Sequence, residues 1–254
     1  MKKLSTIIIL VLFCMNTYAA QINLPDGSIY SGEINNGLFN GYGELQLSED
    51  DVYKGYFKDG KYHGEGILNT LNYSYEGNFE NGLMTGNGSL QYKDGLSYIG
   101  GFANNLFEGQ GKISYPDGSL FTGEFKNGKK EGTGTLLLNN GDSYTGSFMN
   151  DMFNGKGVYS FSNGQKYIGN FVDGNFDGEG KFIYSDGSVK QGIFHNGYME
   201  EKNNGKKGLL YLFICNYSAL KIPGIIQEFQ QRQVLQLQRR LSHVFLLSRY
   251  KNGF

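Results

Sequence analysis

The sequence predicts an all-β chain: an elongated, single-layer array of antiparallel β-hairpin repeats, with room for one short helix near the C-terminus. Three observations lead there. Glycine and aromatic residues are both abundant, with 39 Gly, 19 Tyr and 19 Phe but 3 Pro and no Trp among 254 residues. A pattern of ring, glycine and ring returns about every 23 residues. Apolar and polar residues alternate between those glycines, which is the period of a strand. Glycine at about twice its usual ~7% signals disorder or repetition, and disordered chains are poor in aromatics. Here 15% of the residues are aromatic, which leaves repetition.

In chain order, the first twenty residues stand apart. Lys2 and Lys3 precede an apolar run from Ile7 to Met15, and Thr17-Tyr18-Ala19-Ala20 follows. A charged start, a short apolar stretch and small residues read as a secretory signal over 1–20. The run is shorter than the ~20 apolar residues a membrane-spanning helix needs. Cys14 follows Phe13, where a lipoprotein signal would place a small residue, so no lipid anchor is read there. The expectation is an exported protein, periplasmic or extracellular. Removal of the signal would leave Cys215 as the one cysteine, so the fold has to be stabilised by packing rather than by disulfides.

The repeat occupies residues 21–199. Its first strand reads Tyr53-Gly55-Phe57, Tyr75-Gly77-Phe79 and Tyr98-Gly100-Phe102 at alternate positions. It continues as Phe121-Gly123-Phe125, Tyr144-Gly146-Phe148 and Tyr167-Gly169-Phe171. Tyr30-Gly32-Ile34 is a variant first copy and Lys190-Gly192-Phe194 a degraded eighth. The starts lie 23 residues apart, with one interval of 22 between Tyr53 and Tyr75. Alternate residues share one face of a strand, and a glycine between two rings leaves space for another ring. Seven residues after each start comes a turn position, Gly in six copies and Asn105 or Asp151 in the others. Those two types best tolerate the positive φ that glycine adopts freely. A Gly-x-Gly follows, as at Gly64/Gly66, and is read as part of the turn. Asp-Gly or Asn-Gly, as at Asp117-Gly118, closes the second strand and signals a hairpin.

The string Tyr-x-Gly-x-Phe-x-x-Gly-x-x-x-Gly-x-Gly at this period resembles the MORN (membrane occupation and recognition nexus) repeat, over residues 22 to about 199. The resemblance implies hairpins laid side by side in one twisted, grooved sheet. Eight two-strand units at ~4.8 Å per strand make an array on the order of 75 Å long. It also implies a protein- or membrane-interaction role, since the kinase and methyltransferase domains of enzymatic relatives have no counterpart here.

Chemistry-bearing patterns are scarce. His63, His195 and His243 are far apart in sequence, and no Gly-x-Ser-x-Gly stands near any of them. Cys215 lies in an apolar run, which suits a buried, inert thiol. Glu76 and Glu124 recur with the repeat, as a solvated strand face requires. No Gly-x-Gly extends to a phosphate loop, and no Cys/His or Asp spacing suits zinc or calcium. The expectation is a non-enzymatic chain without cofactor or metal. A net charge of −1 argues against nucleic acid as partner.

One row rises above scaffolding. Just past each turn stand Phe39, Tyr62, Met84, Phe107, Phe153 and Phe176, with Lys130 in the fifth copy. Turn tips are normally polar. The row is either an exposed apolar stripe for a protein partner or a set of side chains folding back onto the next hairpin. The ladders Tyr53/Tyr75/Tyr98 and Phe57/Phe79/Phe102 read as packing.

Residues 200–254 change character. They carry nine Lys and Arg against three Asp and Glu, a net of +6, where residues 21–199 carry 12 against 21, a net of −9. Leu209–Cys215 suits a strand capping the open edge, and 225–250 suits an amphipathic helix. That extension can touch an anionic phospholipid surface, fold back on the acidic repeats, or stay disordered. Two functions follow: a scaffold that binds a protein along the repeats, or a peripheral membrane binder using the basic extension.

Overall fold

The computed structural model describes residues 20–203 and 206–210. The secretory signal, Cys215 and the helix expected over 225–250 lie outside the described residues.

After a short strand β1 (Ala20–Asn23), the chain runs as eight hairpins and a final strand. They are β2–β3 (Ile29–Asn35, Leu38–Gln46), β4–β5 (Val52–Lys58, Lys61–Asn69), β6–β7 (Tyr73–Glu80, Leu83–Tyr92) and β8–β9 (Ser97–Ala103, Leu106–Ser114). Then come β10–β11 (Leu120–Lys126, Lys129–Leu137), β12–β13 (Ser143–Met149, Met152–Ser160), β14–β15 (Lys166–Val172, Asn175–Ile183) and β16–β17 (Val189–His195, Tyr198–Asn203). β18 (Lys206–Leu210) ends the described chain. Each strand pairs antiparallel with the next, so the sheet is one 18-stranded meander. The capping strand begins at Lys206 rather than Leu209, pairing along β17 from Asn203 to Met199.

The hairpins turn differently at their two ends. At one end, the tip, two residues make the turn, both with positive φ: Asn36 (51°) and Gly37 (77°), and likewise Asn150 (50°) and Asp151 (71°). That is a type I′ turn, whose twist matches the strands it joins. At the other end a three-residue loop such as Pro116-Asp117-Gly118 is closed by Tyr115 N–H to Ser119 C=O at 2.9 Å. Gly118 (φ 90°) takes the left-handed place after a type I turn. In the 22-residue copy this loop shrinks to Leu71-Asn72, with Thr70 N–H donating to Tyr73 C=O at 2.8 Å.

The Gly-x-Gly pairs are not turn glycines; they sit inside the second strand. Their first member has positive φ, as at Gly41 (65°), beside a register break between Gly32↔Gly43 and Ile34↔Phe39. Three residues of β3 lie between those pairs where β2 has one. A bulge of this kind bends the strand, here turning the hairpin tip back over one face.

Their second member joins the strand-opening glycines in a continuous seam. From Gly32 in β2 to Gly192 in β16, glycine pairs with glycine on every neighbouring strand, for example Gly43↔Gly55 and Gly100↔Gly111. In each of the first seven hairpins one ring lies flat along this seam. A Cβ on Gly111 would come within 2.5 Å of the Tyr98 ring, so only glycine leaves room.

The core is built on that seam. Tyr98 lies on the glycines, Phe107 stacks on it at 3.7 Å and 13°, and Phe125 of the next copy meets its edge at 5.3 Å. The same trio forms at Tyr53, Tyr62 and Phe79, and at Tyr167, Phe176 and Phe194. Stacked and edge-to-face rings are the favoured aromatic geometries. Tyr53, Phe57, Tyr75, Phe79, Tyr98, Phe102, Phe125, Tyr144, Phe148, Tyr167 and Phe171 are all buried in this way. Each copy thus buries its rings against the copy beside it, as a solenoid must.

Candidate interaction surface

The bend decides which side of the sheet is free. On the ring side, Phe39, Tyr62, Met84, Phe107, Phe153 and Phe176 are buried, Phe107 completely. They are therefore not an exposed stripe: the bulge folds each tip over its own hairpin, and the side chain stacks on the flat ring. Burying each of these groups contributes about 2 kcal/mol, which exposure at a tip would forfeit.

The tyrosine hydroxyl has its own task. Tyr98 Oη donates to Gly101 C=O at 2.8 Å, Tyr144 Oη to Ser147 C=O at 2.8 Å and Tyr30 Oη to Glu33 C=O at 2.7 Å. These carbonyls lie at the register break, and the hydroxyl gives each of them a donor. Burial, with a smaller contribution from the nearby Glu33 carboxylate, pushes the Tyr30 hydroxyl up to about 12. These phenols therefore stay neutral donors.

Carboxylates on the tips are latches. Glu108 Oε2 accepts from Asn127 N–H at 2.9 Å, Glu131 Oε2 from Asn150 N–H at 3.0 Å, and Asp177 Oδ2 from Asn196 N–H at 3.1 Å. Each ties one copy to the turn of the next. Alongside, Phe107 C=O accepts from Gly128 N–H at 2.9 Å. Where the turn glycine is replaced, Asn105 Oδ1 accepts from Met84 N–H at 2.7 Å and Asp151 Oδ1 from Lys130 N–H at 2.9 Å.

The fifth copy departs from the rule. Lys130 takes the stacking place over Phe121, its Nζ 5.6 Å from that ring and 3.7 Å from Asp151 Oδ1. Its side chain is 4% exposed, against 35% for Asp151. Burial pushes the ammonium below the usual lysine range, and the Asp151 carboxylate opposes that shift. Nearby, the Tyr115 hydroxyl is buried with no hydrogen-bond partner, and burial raises it.

The opposite face is open. Its side chains alternate with the rings along each strand and form cross-strand rows. One row runs Lys54, Ile67, Glu76, Ser89, Ile99 and Lys112 through β4–β9. Ile99 is 62% exposed, and Ile67, Leu137 and Ile168 are also exposed. Thr135 and Thr145 meet at 3.1 Å between their hydroxyls, and Lys54 and Glu44 form an ion pair at 3.6 Å. Glu124 accepts from Thr133 N–H and Oγ1, which holds its carboxyl below the usual range. Among the described residues, no group of three or more His, Cys, Asp or Glu is placed to hold a metal ion, and no helix is long and apolar enough to cross a membrane. The open-face positions are the "x" residues of the repeat; their alternation with the rings was the signal that could have found them.

The sequence profile of the MORN repeat matches seven successive segments, 30–52, 53–68, 75–97, 98–120, 121–143, 144–166 and 167–189. The chain belongs to the MORN-repeat family. The eighth copy, β16–β17, lies beyond the matched MORN segments. There Lys190 replaces the flat ring and the terminal Met199 packs against Gly192. No curated protein sequence matches the chain. Among solved structures, the chain resembles the SAS-4 (dCPAP) TCP domain of Drosophila melanogaster in complex with a proline-rich motif of Ana2 (dSTIL). The TM-score is 0.39 at 11% identity, covering 76% of this chain and 99% of that one. It also resembles the TCP10 domain of Danio rerio CPAP in complex with a STIL peptide, with TM-score 0.31, 17% identity and coverage of 76% and 97%.

Proposed function

We propose that this MORN array is an exported, non-catalytic scaffold that binds a protein partner along the open face of its sheet. The observation that carries the proposal is the division of the two faces. The ring face is consumed by packing, while the open face presents a continuous strip of exposed side chains, isolated isoleucines and a leucine among Ser, Thr, Glu and Lys. A broad, continuous strip that mixes apolar with polar side chains has the composition of a non-obligate protein interface. The tip carboxylates are engaged as latches, which favours a structural use for them over acid–base chemistry. Export is read from Lys2, Lys3 and the apolar run that follows.

A photo-crosslinking residue at Ile99 or Leu137 of the full chain, compared with one at the tip residue Asp59, tests the assignment. Adducts with one protein from the open-face positions and none from the tip support it; adducts from the tip alone overturn it. Vesicle co-sedimentation across a salt series tests the membrane reading. Binding that needs residues 200–254 and fades with salt would move the contact from the sheet to the basic extension.

A further inference from the structure

We infer that the N-terminal third of the open face is a docking platform for a cationic, arginine- or lysine-bearing segment of a partner protein, centred on Tyr42 and Tyr56. The inference rests on the scaffold reading and names the chemistry of its partner.

Tyr42 in β3 and Tyr56 in β4 stand directly opposite each other, their rings at 5.3 Å and 74°. They are 48% and 50% exposed, and among the described residues they are the two exposed aromatics. Packing does not need them, because they point away from the glycine seam. Later copies place Glu65 and Asn78, Asn87 and Gly101, or Thr133 and Ser147 at the paired positions. Two rings in contact with each other and with water, on a face that otherwise alternates small, polar and aliphatic residues, are the kind of anchor that carries binding energy. Tyrosine is among the residues enriched at such centres.

The surroundings select a cation. On the open face of β2–β6 the exposed acids Glu33, Glu44, Glu65, Glu76 and Glu80 outnumber the lysines Lys54, Lys58 and Lys61, the last two at the β4–β5 tip. Glu33 Oε1 already lies 3.4 Å from Tyr42 N, which holds that carboxylate beside the ring. From β9 onward the balance reverses, with Lys112, Lys156, Lys166 and Lys181 against Glu124 and Glu179. The rings and the acidic excess therefore coincide at one end of the array. An arginine or lysine head over a tyrosine face is attracted by the ring's negative face, more strongly once desolvated. Carboxylates beside the ring add charge-assisted hydrogen bonds, bidentate for a guanidinium. An anionic lipid or nucleic acid would meet repulsion at the same place.

The test uses the full chain and labelled octa-arginine, octa-lysine and octa-glutamate peptides, read by fluorescence anisotropy at low and high salt. Octa-arginine should bind most tightly, octa-lysine more weakly and octa-glutamate not at all. The double variant Tyr42→Ala/Tyr56→Ala should weaken arginine binding about tenfold or more. Tyr42→Phe/Tyr56→Phe should retain it, because the ring and not the hydroxyl makes the contact. Glu44→Gln/Glu65→Gln should flatten the salt dependence, and Leu71→Ala, at an exposed residue in the loop between β5 and β6, should leave binding unchanged. Unchanged affinity in the folded Tyr→Ala double variant, or equal binding of octa-glutamate, overturns the inference. So does a dimer of the chain that the same variant dissolves, since the platform would then serve a second copy. Crosslinking at Ile99 that persists while the peptides fail to bind would remove this platform and leave the scaffold reading standing.

Discussion

Replacing Lys130 by phenylalanine should stabilise the array, although it removes an ion pair. The attraction between Nζ and Asp151 Oδ1 at 3.7 Å is worth at most about 4 kcal/mol at an effective dielectric of ~20. Asp151 is a third exposed, so water takes back part of that. Desolvating the ammonium costs several kcal/mol and outweighs the attraction, which is why burial lowers the Lys130 pKa despite Asp151. A phenylalanine in the same place gains about 2 kcal/mol from burial and about 1 from stacking on Phe121. Asp151 keeps its bond from the residue 130 N–H, so it is not stranded. The expected gain is about 1–3 kcal/mol, roughly 2–10 °C in the thermal midpoint for a chain of this size.

The pH dependence carries a definite sign. Because the folded state lowers the Lys130 pKa, its penalty is fully present below that lowered value. Between that value and the unfolded ~10.4 the unfolded chain binds the extra proton. Wild-type stability therefore rises with pH across that window, and the variant lacks this rise. Urea unfolding followed by circular dichroism at mildly acid and mildly alkaline pH should show the variant's advantage shrinking as pH rises. A variant less stable than wild type in acid, or an advantage that does not change with pH, would refute the balance of desolvation over attraction.

Other outcomes follow from the same packing. Gly111→Ala should destabilise by about 1–3 kcal/mol through overpacking against Tyr98, and pairing it with Tyr98→Leu should recover part of that loss in a double-mutant cycle. Phe107→Ala should cost about 3–5 kcal/mol, whereas Ile99→Ala should cost well under 1, both read from urea midpoints. Glu131→Ala should lose one latch to Asn150 N–H and about 1 kcal/mol, with hydrogen exchange rising at the β12–β13 turn. Deleting residues 98–120 as one unit should leave a folded, shorter array with an unchanged β signature by circular dichroism.

Much of this architecture is visible in the residues themselves. The period, the hairpins and the stacking rings follow from Tyr53-Gly55-Phe57 and its copies, because a strand has no other way to place three alternate residues. Asn105 and Asp151 reveal the positive-φ turn by being the permitted exceptions. The bend at Gly41 and its equivalents is what local pattern could not supply. A glycine before another glycine reads equally well as a turn or as a bulge, and only pairing with the previous hairpin distinguishes them. That one ambiguity moved Phe107 and Phe153 from candidate contact residues to core. It also turned attention from the "x" positions, where Tyr42, Tyr56 and Ile99 are found. Lys130 was equally hidden, since a lysine at a tip looks solvated until the tip is known to fold over.

Thiol accessibility tests the division of the two faces most directly. In a full chain with Cys14 and Cys215 replaced by serine, single cysteines at Ile99 and at Phe107 are reacted with a thiol reagent under native conditions. The folded array should let the cysteine at 99 react as fast as in urea and protect the one at 107 until the hairpin opens. Rapid labelling at 107 with protection at 99 would place the rings outside and the open face within, and contradict the account.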